Sequence, residues 1–249
     1  MAPQEAGKGS VASTNEGRPG RIVLKETTFD GITYVCPTPD QMDEYASILG
    51  REIREAGHSF DRIIPLARGG LTWSIYLMDE VKISHTSPMR IKRYDDDKNI
   101  KAAGKPQIVQ PLTDPIVGEK VLILDEVADH GDTLELAIKY LRMMGAEEIL
   151  IATLCYKPHS SVKPDFYAFE TSAWVIFPHE IRETVEKLAG MWIEPIKDKH
   201  GIEDREPLSY EQMIERFDEI GMPQERTREY LTLWWQENVD SELKSPAVS

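Results

Sequence analysis

Val121-Leu122-Ile123-Leu124-Asp125-Glu126-Val127-Ala128-Asp129-His130-Gly131-Asp132-Thr133-Leu134 is the stretch on which the fold turns. Four apolar residues in a row read as a short β run, of the kind buried on both faces of a parallel sheet. The run delivers two adjacent carboxylates, Asp125 and Glu126, at its C-terminal end, and Asp129 follows three residues on. Gly131 and Thr133 then open a helix with an apolar stripe of Leu134, Ala137, Ile138 and Leu141, closed by Gly145. This order sets backbone N–H groups and a helix N-terminus around a point where an anion can sit. Carboxylates at the rim can hold a sugar diol or a divalent cation. The stretch reads as a site for a phosphorylated ribose.

Working outward, the spacing predicts strands alternating with helices. A hairpin-like pair of β segments lies between Ile22 and Val35, around Asp30-Gly31. Thr38-Pro39-Asp40-Gln41 is a helix start, with a Thr cap, Pro at the first helical position and Gln three after the cap. Met42, Tyr45, Ala46, Leu49, Ile53 and Ala56 recur at helical spacing up to Gly57. Arg62–Leu66 reads as a strand ending at Ala67-Arg68-Gly69-Gly70, and a helix follows from Leu71 to about Glu80. Val81–His85, Met89–Arg93, Gln107–Gln110, Ile149–Cys155 and Trp174–Phe177 read as further strands, with a long polar loop over residues 94–106. Near residue 197 the texture changes. Ser209 caps a helix to Ile220, Gln212 completes a capping box, Gly221-Met222-Pro223 breaks the helix, and a second one carries Tyr230, Leu231, Trp234 and Trp235. Such alternation argues an α/β fold, a parallel sheet covered on both sides, with ligands at the strand C-termini.

Two further segments allow more than one reading from their residues alone. Gly69-Gly70 serves a plain βα turn as well as a close backbone approach to a ligand, with Arg68 able to bind a diphosphate. Lys157 at a strand end is usually just solvated, and Trp174 in a short strand is more often core than stacking partner.

Taken together, the segments resemble type I phosphoribosyltransferases. Residues 121–134 resemble the family's phosphoribosyl-pyrophosphate (PRPP) signature: four apolar residues, two acids, two apolar residues, then Asp-Thr-Gly-x-Thr. Both acids, the third Asp, the Gly and the final Thr are present, while His130 stands where Thr is usual and Asp132 fills the variable position. Ala67-Arg68-Gly69-Gly70 resembles the pyrophosphate loop. Lys92-Arg93-Tyr94-Asp95 resembles the start of the flexible active-site flap. Lys157 and the segment Ala173-Trp174-Val175-Ile176-Phe177-Pro178-His179-Glu180 resemble the base-binding parts. The likeness covers roughly residues 30 to 185 and is closest to bacterial xanthine–guanine and hypoxanthine phosphoribosyltransferases.

That resemblance implies a mainly parallel twisted sheet with helices on both faces, a small hood, and a C-terminal helical extension. It implies transfer of 5-phosphoribosyl from PRPP to a 6-oxopurine, with Asp129 as general base. Arg68, Gly69, Gly70, Asp125, Glu126, Asp129, His130, Gly131, Asp132 and Thr133 would bind PRPP. Lys157, Trp174, Val175 and Glu180 would bind the purine, Arg93 and Tyr94 would begin the flap, and Asp125 and Glu126 would hold Mg2+. A homo-oligomer, dimer or tetramer, is expected. The alternatives are a PRPP- or nucleotide-sensing regulator on the same fold, or a phosphoribosyltransferase for another base.

Composition narrows the partners. The chain of 249 residues has a net charge of −14, 29% charged and 41% apolar residues. An acidic balance argues against a broad nucleic-acid footprint, which needs a basic face. Acidic Glu211, Glu215, Asp218, Glu219, Glu225 and Glu229 likewise argue against DNA contact by the C-terminal helix pair. Cys36 and Cys155 lack metal-ligand spacing and read as core thiols in a reducing compartment. No membrane span and no signal-peptide core are evident, so a cytoplasmic protein is expected. The expected organisation is a disordered segment over 1–20, a phosphoribosyltransferase domain over 21–196 and a helical extension over 197–249.

Overall fold

The computed structural model describes residues 24–93, 104–196 and 205–239. Expectations for residues 1–20 and for most of the 94–106 loop, Tyr94 included, lie outside the described residues. The elements run in the order β1 (Glu26–Phe29), β2 (Ile32–Val35), α1 (Pro39–Glu55), β3 (Arg62–Ala67), α2 (Gly69–Val81), β4 (Met89–Arg93), β5 (Pro106–Gln110), β6 (Lys120–Ala128), α3 (Asp132–Met143), β7 (Glu148–Tyr156), β8 (Phe166–Glu170), β9 (Trp174–Val175), α4 (Ile181–Trp192), α5 (Tyr210–Ile220) and α6 (Gln224–Asn238). They pack as two units, residues 39–172 and residues 24–38 with 173–239. Among the described residues the chain passes from one unit to the other between 38 and 39 and again between 172 and 173.

The 39–172 unit is built on a six-stranded sheet in the order β5-β4-β3-β6-β7-β8. Neighbours are parallel except β4 and β5, which pair antiparallel. Val121, Leu122, Ile123 and Leu124 are fully buried, as a central strand covered on both faces requires. Val121 and Ile123 share a core with Ile64, Leu66 and Ile151, and with Leu134, Ala137 and Leu141 of α3. The alternate residues point to the opposite face, where α1 and α2 pack on each other and against the sheet. There the Tyr45 ring lies 4.8 Å from that of Phe169. Arg62 fixes the entry to β3 against the turn before β6, its guanidinium donating to both carboxylate oxygens of Glu119 at 2.7 and 2.8 Å.

Chain order gives this sheet its functional edge. From β3 the chain moves out to β4 and β5, then returns to the other side of β3 to lay down β6, β7 and β8. The reversal lies between β3 and β6, the place in such a sheet where a ligand is expected, beyond the strand carboxyl ends.

Four expectations change in this unit. Val81–His85 is not a strand: α2 runs to Val81, and Lys82, with φ 56°, closes it by sending its N–H back to the last turn. The chain then lies along β3 through Ile63 N–H to His85 O and Ser87 N–H to Ile63 O. β6 continues past Leu124 through both acids to Ala128, because Asp125, Val127 and Ala128 still pair with β7. Ala56 is exposed, lying one residue past the end of α1. Finally, Phe166–Glu170 forms β8, an edge strand outside the expected set.

The other unit holds a three-stranded sheet, β1-β2-β9, and helices α4, α5 and α6. Asp30 and Gly31 both take positive φ, 51° and 75°, as a two-residue hairpin turn demands. β9 is only Trp174–Val175, shorter than the expected Trp174–Phe177, and pairs parallel with β2. Its core gathers Tyr34, Ile176, Val185, Leu188, Trp192, Met213, Phe217 and Leu231. Ile181, Val185, Leu188 and Trp192 lie on one face of α4, at spacings of three and four residues. The capping box at Ser209 forms: Gln212 N–H donates to Ser209 Oγ at 3.3 Å, and Ser209 N–H to Gln212 Oε1 at 2.8 Å. The Asp30 carboxylate accepts from Arg216 at 2.7 and 3.3 Å and lies 3.1 Å from Arg205 Nε. Among the described residues, no helix is long and apolar enough to cross a membrane.

Candidate active site

Two loops meet at the crevice between β3 and β6. The first is Ala67-Arg68-Gly69-Gly70, in which the Ala67–Arg68 peptide is cis and Arg68 stands exposed at the N-cap of α2. Its glycines are required by their neighbours. A Cβ on Gly69 would fall inside the Glu126 carboxylate, and one on Gly70 would collide with the Leu124 carbonyl. The first helical turn of α2 therefore lies directly against the end of β6, its N-terminal amides and positive dipole end beside an acidic pair.

The second loop belongs to β6 and α3. Asp125 Oδ1 accepts from the Glu126 N–H at 3.0 Å. Glu126 Oε2 is buried and has no hydrogen-bond partner among the described residues. A buried carboxylate oxygen without a donor is costly, and is compensated by a sugar hydroxyl or a hard cation. Asp125 and Glu126 thus fit Mg2+ by donor type, and Glu126 fits also by its uncompensated oxygen. Gly131, with φ 96°, is the N-cap of α3; a Cβ there would strike Ser161 Oγ and come within 2.8 Å of Val162 N. Asp132 and Thr133 form the first turn of α3, both half-buried.

Asp129 is exposed and sits between two imidazoles. His130 Nδ1 lies 2.9 Å from its Oδ2 and His159 Nε2 lies 3.1 Å from its Oδ1. His130 was expected beside a phosphate; His159 carried no expected role, and its place two residues after Lys157 was the signal. The 157–162 turn is bound to the β6–α3 loop by Lys157 N–H to Ala128 O at 3.0 Å and Ser161 N–H to His130 O at 3.0 Å.

Lys157 is 6% exposed, not solvated as strand-end lysines usually are. Burial pulls its pKa below the ordinary lysine value, against the opposing pull of Cys155 and Asp129. The Cys155 thiol beside it is pushed up to about 12 by burial.

The structure thus gathers Arg68, Gly69, Gly70, Asp125, Glu126, Asp129, His130, Gly131, Asp132, Thr133 and Lys157 within the 39–172 unit. Trp174, Val175 and Glu180 belong to the other unit. There Val175 is buried, Glu180 occupies the N-cap position of α4 without a side-chain capping bond, and the Lys187 ammonium lies 4.3 Å from the Trp174 ring centroid. Arg93 ends β4.

A family model described as the phosphoribosyl transferase domain matches residues 37–183. A hypoxanthine-guanine phosphoribosyltransferase of Bacillus subtilis (strain 168) is 26% identical over 148 residues, 56% of this chain and 79% of its own length. The crystal structure of a purine phosphoribosyltransferase from Pyrococcus horikoshii Ot3 is similar at 35% identity and TM-score 0.52, covering 58% of this chain and 92% of that one. A xanthine-guanine-hypoxanthine phosphoribosyltransferase of Helicobacter pylori shares the fold at 19% identity and TM-score 0.51, over 62% of this chain and 99% of its own.

Proposed function

The chain belongs to the phosphoribosyl transferase domain family, and from that premise we propose that it joins a 6-oxopurine, guanine, xanthine or hypoxanthine, to PRPP, giving a nucleoside 5′-monophosphate and pyrophosphate. The observation that carries the reading is the meeting of Gly69 and Gly70 with the end of β6, which leaves a buried Glu126 oxygen without a donor beside a helix N-terminus. The names of the similar Bacillus and Pyrococcus proteins support a purine as acceptor.

Bond breaking at the ribose anomeric carbon leaves positive charge on the sugar and negative charge on the leaving pyrophosphate. Arg68 and the Gly69 and Gly70 amides stabilise that leaving group as its charge develops. Asp125 and Glu126 hold the ribose hydroxyls and would hold Mg2+, which when bound supplies charge neutralisation at phosphate oxygens. The Thr133 hydroxyl and the amides of residues 130–133, at the N-terminus of α3, seat the 5′-phosphate. Asp129 accepts the proton from purine N7 as general base. Lys157 donates to the 6-oxo group of the base. By the same resemblance Trp174 would stack on the base, Val175 would help bind it and Glu180 would face its 2-position, while Arg93 and Tyr94 would begin a flap that shields the oxocarbenium-like sugar from water.

The test is PRPP-dependent nucleotide formation from guanine, xanthine, hypoxanthine and adenine, wild type against Asp129→Ala. The 6-oxopurines are expected to react, and the variant to lose about 10²- to 10⁴-fold in kcat. Equal activity in both proteins would remove the proposed base. Turnover only with adenine or a pyrimidine would reassign the acceptor, and PRPP binding without turnover of any base would mark a nucleotide-sensing regulator.

A further inference from the structure

Asp129 has an imidazole nitrogen on each carboxylate oxygen, and one ligand atom from each of Asp129, His130 and His159 lies within 4.8 Å of the others. We propose that these three residues form a binding site for a borderline divalent transition-metal ion, Zn2+ foremost, separate in chemistry from the Asp125–Glu126 pair that suits Mg2+.

Donor type makes the distinction. Two imidazole nitrogens and one carboxylate suit Zn2+, Co2+ or Ni2+, whereas Mg2+ prefers oxygen alone. A tetrahedral shell at ~2.0–2.1 Å sets ligand atoms roughly 3.3 Å apart. The nitrogen–oxygen separations of 2.9 and 3.1 Å fall on different carboxylate oxygens, and one ligand atom from each residue lies within 4.8 Å of the others, so side-chain rotations that bring both imidazoles to one ion are needed. The side chains have room to do so, since Asp129, His130 and His159 are 49%, 63% and 51% exposed. Their backbones are held: the loops carrying the two histidines are tied by Ser161 N–H to His130 O and by Lys157 N–H to Ala128 O. The imidazole rings already stand at 67° with centroids 5.4 Å apart, which lets both aim a nitrogen at the same carboxylate. Three protein ligands leave a fourth position open to solvent.

One consequence rests on the proposed function. A bound ion takes the lone pairs with which Asp129 would accept the purine N7 proton, so occupancy inhibits transfer.

Zn2+ titration of the full-length, chelator-treated protein by calorimetry tests the site without reference to activity, with Co2+ as the absorbing probe. One ion per chain is expected, together with visible bands of a tetrahedral Co2+ that persist in excess Mg2+. His159→Gln should weaken Zn2+ by at least about 10-fold, the loss of one ligand in three, and the His130→Gln/His159→Gln double variant should abolish the bands. Equal affinity in wild type and the double variant, or full displacement by Mg2+, overturns the proposal. If turnover exists, Zn2+ should inhibit wild type at least about 10-fold more strongly than His159→Gln, each compared with its own metal-free rate. Zn2+ binding without any transferase activity would leave this site standing and the functional reading fallen.

Discussion

Asp30 sits between Arg205 and Arg216, the three side chains only 15%, 12% and 17% exposed, with its carboxylate 3.1 Å from one guanidinium and 2.7 Å from the other at the hairpin turn. Glu126, in the sheet unit, keeps a buried carboxylate oxygen with no hydrogen-bond partner among the described residues. In the first region charge is used up in holding a hairpin to a helix 186 residues away. In the second it is held ready at a strand end, against a helix N-terminus that two glycines bring close. A buried charge that is matched stabilises a fold; one left unmatched is a cost that a ligand relieves.

The sharpest way to break this contrast is Asp30→Asn, which keeps a residue tolerant of positive φ but removes the anion. Leaving two nearly buried guanidinium groups without a counter-charge should cost about 3–5 kcal/mol in urea unfolding. A loss under about 1 kcal/mol would mean that the ion cluster does not hold this unit together. Glu126→Gln should do the reverse. Its midpoint in urea should stay level or rise, while nucleotide formation falls about 10²-fold, equal to about 2.7 kcal/mol in the barrier. Destabilisation without loss of turnover would make Glu126 structural. Ser209→Ala removes the α5 capping box and should cost about 1 kcal/mol, with turnover unchanged.

Tyr34→Phe sharpens the comparison from the other side. The Tyr34 hydroxyl is buried with no hydrogen-bond partner among the described residues, and desolvation, with help from Asp30, pushes its pKa up from 10.0 to about 12. The folded state therefore holds this proton more tightly than the unfolded state between pH 10 and 12. Stability is intact below pH 10 and falls as pH rises through that window. The variant should change stability at neutral pH by less than about 1 kcal/mol and flatten the alkaline fall. An unchanged alkaline slope would assign that fall to other groups, among them the Cys36 and Cys155 thiols.

Much of the site could be read from local order. The glycine before α3, the two adjacent acids in β6, the Gly-Gly start of α2 and the Ser209–Gln212 box all act within a few residues of themselves. Failures have the same origin in reverse. Val81–His85 looks like a strand by residue type, yet α2 extends to Val81 and only a bridge at Thr86 joins β3. β8 has the apolar content of an edge strand but gets its place from pairing with β7. His159 gains significance only because a turn 30 residues after Asp129 is hydrogen-bonded back onto the β6–α3 loop.

By itself, the sequence determined the alternation of strands and helices, their caps and turns, and the family motifs, because each depends on φ preferences and hydrogen bonds among near neighbours. Tertiary structure decided that the N-terminal hairpin packs with the C-terminal helices, that Lys157 is buried, and that Asp129 lies between two imidazoles. Those outcomes depend on which apolar faces find each other across long stretches of chain, and no local spacing encodes that choice.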